Sequence, residues 1–160
     1  MKNKMTQIVV GIFLGFLMLI VGGQTRVFGQ QAFNLVGVWQ TIVTPRNCQT
    51  GDPSGPVFQG LFTFHQGGTM AEDSAGFPPP LRGSGHGIWA ANNMFHPTFA
   101  YVFMRFNTDG TLAGSNIVRQ NATFGLNGND FTSNATVEVR AANGNLITTV
   151  CTTLTATRFQ

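Results

Sequence analysis

The segment NLITTVCTTLTATRF, residues 145–159, decides the fold of this chain. It is rich in Thr, Val, Ile and Leu and follows an Asn-Gly dipeptide, a combination that predicts a β-strand entered through a tight turn. The segment LVGVWQTIVTP, residues 35–45, predicts a second strand near the other end of the chain. We expect these two strands to pair, because their pairing draws all the strands between them into a closed barrel.

Short turn signals divide the chain between these two strands. Gly, Asn and Asp tolerate the positive φ angles that two-residue hairpin turns require. The signals are Gly67-Gly68, Asn92-Asn93, Asp109-Gly110, Asn127-Gly128 and Asn143-Gly144. The predicted strands are 35–45, 56–66, 69–74, 85–91, 95–107, 111–126, 129–141 and 145–159. The predicted fold class is therefore all-β: an eight-stranded antiparallel up-and-down meander closed into a small barrel, preceded by an N-terminal signal helix.

The three sharpest turns also predict which side chains face inward. A two-residue turn at Asn127-Gly128 places Phe124 opposite Phe131, and the turns at Asp109-Gly110 and Asn143-Gly144 extend that face onto the neighbouring strands. The predicted inward face includes Phe95, Phe99, Tyr101, Phe103, Arg105, Asn116, Val118, Gln120, Phe124, Phe131, Ala135, Val137, Val150, Thr152, Leu154 and Ala156. The opposite face is rich in Thr, Asn, Arg and Glu. This alternation is typical of strands that bury one side.

The two cysteines favour closure of the barrel. Cys151 lies on the outward parity of the last strand, and Cys48 lies just past the first. Antiparallel pairing brings them together, so we expect a disulfide, as is common in exported proteins. The bond would close a loop of 103 residues, which the chain-entropy model values at about 4–5 kcal/mol. Two separate buried thiols are the alternative.

The pairing that joins the cysteines also places Arg158 beside Thr41 and diagonally next to Trp39. A guanidinium stacked on an indole ring is favourable by roughly 0.5–2 kcal/mol. Gly37-Val38-Trp39 on the first strand, with Arg158 on the last, resembles the lipocalin and wider calycin pattern. In that family the Trp and Arg plug the closed end of an eight-stranded barrel. The resemblance implies a mouth at the other end, where the long connections 46–55 and 75–84 are expected to meet.

The first thirty residues predict targeting rather than fold. Lys2 and Lys4 precede the apolar run 8–21, and small residues follow, which is the layout of a secretory signal. We therefore predict that residues 1–30 are a signal peptide, or an N-terminal anchor if they are not cleaved, and that residues 31–160 form a single calycin-like domain. The expected location is exported, either periplasmic or extracellular.

Charge excludes a nucleic-acid partner. The net charge of +3 comes from the predicted leader, because residues 31–160 hold six Arg, six acidic residues and no Lys. A phosphate-binding surface needs clustered basic side chains, and this sequence has no such cluster. Membrane contact is expected only through the N-terminal segment if it stays attached.

The predicted interior is apolar with a few polar groups, which is the usual character of a small-molecule pocket. We expect an exported lipocalin-like protein that binds a small hydrophobic or amphipathic molecule, without a cofactor, a metal or catalytic residues. The predicted ligand-binding residues are Phe99, Tyr101, Phe103, Arg105, Asn116, Gln120 and Thr152. Two alternatives are a small-barrel isomerase or cyclase that uses His86 or Arg105, and a filled structural envelope barrel without a ligand. His86 faces inward if the turn at Asn92-Asn93 has two residues, and Trp89 does so if it has three.

Overall fold

The computed structural model describes residues 33–91 and 93–159, so the predicted signal segment lies outside the described residues. Within those ranges the strands are β1 (Gly37–Arg46), β2 (Phe58–Phe64), β3 (Thr69–Ser74), β4 (Gly85–Ala91), β5 (Pro97–Phe106), β6 (Leu112–Phe124), β7 (Asp130–Ala141) and β8 (Leu146–Arg158). One 3-10 turn, Pro79–Leu81, lies between β3 and β4. No helix in the described ranges is long and apolar enough to cross a membrane.

The strands close into a barrel in sequence order, and β8 pairs with β1. Every pair is antiparallel, so the predicted up-and-down meander and its closure are confirmed. Phe124 lies opposite Phe131, as the turn at Asn127-Gly128 predicts. The pairings predicted from the two neighbouring turns are confirmed as well.

The register between β1 and β8 differs from the prediction by two residues. Arg158 lies directly opposite Trp39 rather than beside Thr41. The guanidinium carbon of Arg158 is 4.2 Å from the centroid of the Trp39 ring, and its two Nη atoms donate to the carbonyl oxygens of Val36 and Asn34 at 2.9 and 2.6 Å. These contacts satisfy the charged group in the observed register.

The cysteines still meet in this register because Cys48 lies in the turn beyond β1. The backbone turns back there, with Gly51 N donating to Asn47 O at 2.9 Å. Cys48 and Cys151 form the predicted disulfide, with a Cα–Cα distance of 5.2 Å. A disulfide of this kind is consistent with folding in an oxidising, exported environment.

The prediction that Phe95 faces the interior was wrong. Its side chain is 45% exposed, and β5 begins only at Pro97. The side-chain oxygen of Asn93 accepts hydrogen bonds from the backbone N–H groups of Phe95 and His96, so the connection forms an Asx turn longer than two residues. Phe95 packs outside the strand against Phe33, with ring centroids 4.6 Å apart.

The longer connection also decides the orientation of β4. His86 is exposed on the outside, whereas Trp89 is half-buried and packs against the core. Trp89 Nε1 donates to the carbonyl oxygen of His65 at 2.9 Å. Of the two orientations left open by the sequence, the one with Trp89 inward is therefore observed.

Aromatic rings fill the half of the barrel near Trp39. The Trp39 ring contacts Phe131 at a centroid distance of 4.8 Å, and Phe64 contacts Phe99 at 5.1 Å, both edge to face. Such pairs contribute about 0.5–1.5 kcal/mol beyond the burial of their area. Phe62 and Phe124 complete the cluster. This end of the barrel is a packed core.

Candidate functional site

The end of the barrel opposite Trp39 carries both long connections. The alternating strand directions place the connections 47–57, 75–84, 107–111 and 142–145 at this end. The sequence predicted that the two longer ones, 46–55 and 75–84, would meet there, and the strand order agrees. We call this the open end.

A buried ion pair lies inside the barrel below the open end. Glu72 points inward from β3, and Arg82 enters from the connection 75–84. Arg82 Nη2 donates to Glu72 Oε2 at 2.6 Å and Arg82 Nη1 to Oε1 at 3.1 Å, with side-chain exposures of only 5% and 2%. Arg82 also donates to the backbone oxygen and hydroxyl of Ser74. Its guanidinium lies 4.0 Å from the centroid of the Phe103 ring.

A second set of hydrogen-bonded polar side chains, on β5, β6 and β7, lies inside the barrel near the ion pair. The Tyr101 side chain hydrogen-bonds with Gln120, and Gln120 Oε1 accepts a hydrogen bond from Ser133 Oγ at 2.5 Å. Burial raises the pKa of the Tyr101 phenol well above its usual value, and the nearby charge of Glu72 raises it further. The polar residues from Glu72 to Ser133 therefore separate the aromatic core from the open end.

Three buried side-chain atoms have no hydrogen-bond partner among the described residues: Asn116 Oδ1, Arg105 Nε and Thr41 Oγ1. The first two lie toward the open end. Asn116 is only 6% exposed and faces inward from β6. Arg105 faces inward from β5 opposite Gly114, and its Nη2 donates to the carbonyl oxygen of Arg140 at 2.8 Å. An unsatisfied buried polar group costs about 1–3 kcal/mol, so this pair calls for a partner.

The walls around these two atoms are apolar and partly open. Val137 is buried, Val139 and Thr152 are half-buried, and Val150 is exposed although it lies on the inward parity of β8. Val150 was predicted to face inward, and its exposure follows from its place at the rim of the open end. We refer to the inward-facing region around Arg105, Asn116 and these β7–β8 side chains as the recess.

The connection 75–84 forms a strap at this end. Gly83 N donates to Met104 O at 3.0 Å, which fastens the strap to β5. The Phe77 ring lies against Phe103 with centroids 6.1 Å apart, although Phe77 itself is 39% exposed. Arg82 is therefore the side chain that anchors an otherwise exposed segment inside the barrel.

The predicted ligand-binding residues fall into two groups. Phe99, Tyr101 and Gln120 lie in or next to the packed half, where neighbouring side chains fill the space around them. Phe103, Arg105, Asn116 and Thr152 lie nearer the open end. Phe103 and Asn116 are cross-strand partners, and Arg105 lies on the same face of β5 as Phe103, whereas Thr152 pairs with Ala135 and Pro45. The candidate site is the region around Arg105 and Asn116.

Sequence reasoning missed Glu72 and Arg82. Glu72 lies two residues after the buried Met70 on β3, so the alternation of side chains along a strand could have placed it on the inward face. Its carboxylate fits because Gly85 has no side chain: a Cβ there would lie 2.6 Å from Glu72 Oε2. Arg82 lies in a connection without strand periodicity, so no pattern in the sequence indicated that it turns inward.

The histidines lie away from the recess. All three histidines, His65, His86 and His96, are exposed. His86 therefore does not face the barrel interior. Within residues 33–91 and 93–159, no group of three or more His, Cys, Asp or Glu side chains is placed to hold a metal ion.

Two grooves lie on the outer surface of the barrel. One, of about 730 Å³, lies between the disulfide-bonded turn after β1 and the outer sides of β4 to β8. The other, of about 1090 Å³, lies between the strap and the outer sides of β8, β1, β2 and β3. Both are lined by outward-facing side chains such as Asn134 and Gln59, and any binding experiment must distinguish them from the recess.

Comparison with family models, with curated proteins and with solved structures finds no match for this chain. The closed eight-stranded barrel and the Trp39–Arg158 stacking are consistent with a calycin-like fold.

Proposed function

We propose that the protein is an exported, lipocalin-like barrel that binds a small amphipathic molecule in the recess at its open end. The observation that carries this proposal is the pair of unpartnered polar atoms, Asn116 Oδ1 and Arg105 Nε, beside apolar walls. A ligand whose polar group bonded these atoms would remove their desolvation cost. Its apolar part would rest on Phe103, Val137 and Val139.

The location of the recess supports this assignment. It lies toward the open end, on the side of the barrel where Val150 is exposed. The aromatic core lies at the other end, around Trp39. The disulfide favours a role outside the cytoplasm, in the periplasm or beyond the cell.

Titration with the neutral fluorescent dye N-phenyl-1-naphthylamine tests this function. We expect saturable binding, and we expect Val150→Trp to abolish it, because an indole at that position would fill the recess. Thr149→Trp is the matched control, since Thr149 is the neighbouring residue on the outward parity of β8. Binding that survives Val150→Trp would place the dye in an outer groove and contradict the proposal, as would the absence of saturable binding.

The enzyme alternative is not favoured by any contact in the described residues. His86 is exposed on the outside of β4, and Arg105 is the remaining inward candidate. A lone guanidinium supplies charge and hydrogen bonds but no proton transfer near neutral pH.

A further inference from the structure

We propose that the closed end of the barrel, the end that carries the Trp39–Arg158 stacking, rests on a lipid bilayer through a patch of apolar side chains. Exposed apolar patches are typical of surfaces that contact a membrane or another protein. The side chains are Phe33, Met94, Phe95, Leu126 and Phe159, and we call them the closed-end patch. The sequence limited membrane contact to the N-terminal segment, so this proposal extends that expectation. It does not depend on ligand binding in the recess.

The members of the closed-end patch are large, apolar and poorly buried. Leu126 is 98% exposed in the turn between β6 and β7, and Met94 and Phe159 are each more than half exposed. Phe33 is half-buried, and its ring packs against that of Phe95 rather than inside the barrel. Burial of such side chains is favourable in proportion to the apolar area removed from water. The patch would gain this free energy by contact with an external apolar phase.

Hydrogen bonds hold together the segments that carry the patch. Phe124 N donates to Phe95 O at 3.0 Å, which joins the connection after β4 to the end of β6. Arg158 Nη2 donates to Asn34 O at 2.6 Å, and Arg158 N donates to Asn129 O at 2.9 Å. The segment before β1, the end of β8 and the turn between β6 and β7 therefore meet at one end of the barrel.

Charged side chains lie mostly away from the patch. Within residues 33–91 and 93–159, those at the closed end are Asp130 and Arg158. Arg158 is stacked on Trp39 and bonded to backbone carbonyl oxygens, and the Asp130 carboxylate lies against Gly125. The open end, by contrast, carries Arg46, Asp52, Asp109 and Arg140. Because desolvation of a free charge is costly, the closed end can approach a bilayer interface more readily than the open end.

The sequence before the barrel favours a bilayer as the occupant. Residues 8–21 are apolar, and residues 22–32 separate them from Phe33, which belongs to the patch. If the apolar run is not cleaved, its insertion in a membrane tethers the domain by the closed end. Apolar side chains beside such a tether strengthen binding in proportion to the area that they bury. No basic cluster accompanies the patch in the described ranges, so we expect contact with zwitterionic lipid rather than recognition of anionic headgroups.

Quenching of an added tryptophan by brominated lipid tests this contact. The full chain is mixed with phosphatidylcholine vesicles brominated near the carbonyl end of one acyl chain, because bromine there quenches an indole that lies in the bilayer interface. Leu126→Trp reports on the patch, and Ile147→Trp, at an exposed position of the open end, is the matched control. Subtraction of the wild-type signal removes the contribution of Trp39 and Trp89. We expect a loss of fluorescence for Leu126→Trp alone, with or without added phosphatidylglycerol.

Charge substitutions locate the contact at the patch. In the Leu126→Trp chain, Met94→Asp and Phe159→Asp should each reduce the quenching, whereas Leu112→Asp, which alters an exposed leucine of the open end, should not. Unquenched Leu126→Trp, or equal quenching of Leu126→Trp and Ile147→Trp, would overturn the inference. A blue shift of Leu126→Trp emission with rising protein concentration, without quenching by lipid, would assign the patch to a second copy of the chain and overturn it as well.

Discussion

Arg158 lies over the indole ring of Trp39 at 4.2 Å and joins the last strand to the first. The two residues lie directly opposite each other in the β1–β8 ladder. Their contact closes one end of the barrel and also defines the register in which the sheet closes.

Loss of this contact should lower stability. We expect Arg158→Met to reduce the free energy of unfolding by about 1–2 kcal/mol, because it removes the cation–π contact and the bonds to Val36 O and Asn34 O. Urea unfolding followed by circular dichroism measures the change. Arg119→Met, which removes an exposed ion pair with Glu138, should leave the midpoint unchanged. Equal midpoints for the two variants would contradict the structural role of Arg158.

The disulfide should stabilise the barrel without determining its topology. Replacing Cys48 and Cys151 with Ser should cost about 2–5 kcal/mol, because the bond closes a loop of 103 residues. The β-sheet circular dichroism spectrum should persist at low temperature, since the β1–β8 ladder has eight residue pairs of its own. Thermal unfolding with and without a reducing agent gives the same comparison. An unchanged melting temperature after verified reduction would contradict this prediction.

The Glu72–Arg82 pair should show strong coupling. Glu72→Gln leaves the buried Arg82 charge without its carboxylate, which should cost about 3–5 kcal/mol. Replacing both residues, in Glu72→Gln/Arg82→Met, removes both charges and should recover a large part of that loss. Urea unfolding of the wild type, both single variants and the double variant measures the coupling. A double variant that loses the sum of both single effects would show that the pair does not act as a unit.

Tyr101 should resist ionisation. It is the only tyrosine in the chain, so its phenolate absorbance is unambiguous. Burial raises its pKa in the folded state, whereas the unfolded phenol ionises near pH 10, about its usual value. The stability contributed by the neutral phenol is therefore complete below about pH 10 and is lost as pH rises through the higher folded pKa. Phenolate absorbance should appear together with loss of the folded circular dichroism signal; its appearance in the folded protein near pH 10 would contradict the burial.

The hairpins of this barrel could be predicted from sequence because each depends on local chemistry. Asn127-Gly128 specifies a turn of fixed length, and a fixed turn length determines the pairing and facing of both flanking strands. The inward position of Asn116 and Arg105 follows from the same reasoning. These were the residues that the sequence could assign to the recess.

Contacts between distant segments could not be predicted in the same way. No turn connects β1 to β8, so the position of Arg158 depended on its three-dimensional partners, and the register estimated from Cys48 was wrong by two residues. Arg82 reaches the interior from the connection 75–84, in which inward-facing and outward-facing side chains do not alternate regularly. Phe95 was misplaced because the side chain of Asn93 bonds the backbone and lengthens the turn.

Nuclear magnetic resonance measures ligand contact at the open end most directly. The ¹⁵N-labelled protein is titrated with N-phenyl-1-naphthylamine, and backbone amide shifts are followed. We predict saturable shifts concentrated at Arg105, Gly114, Asn116 and Val150, with no comparable change at Ile42 or Leu61, which line an outer groove. Shifts confined to an outer groove, or the absence of saturable shifts, would contradict a binding site inside the barrel.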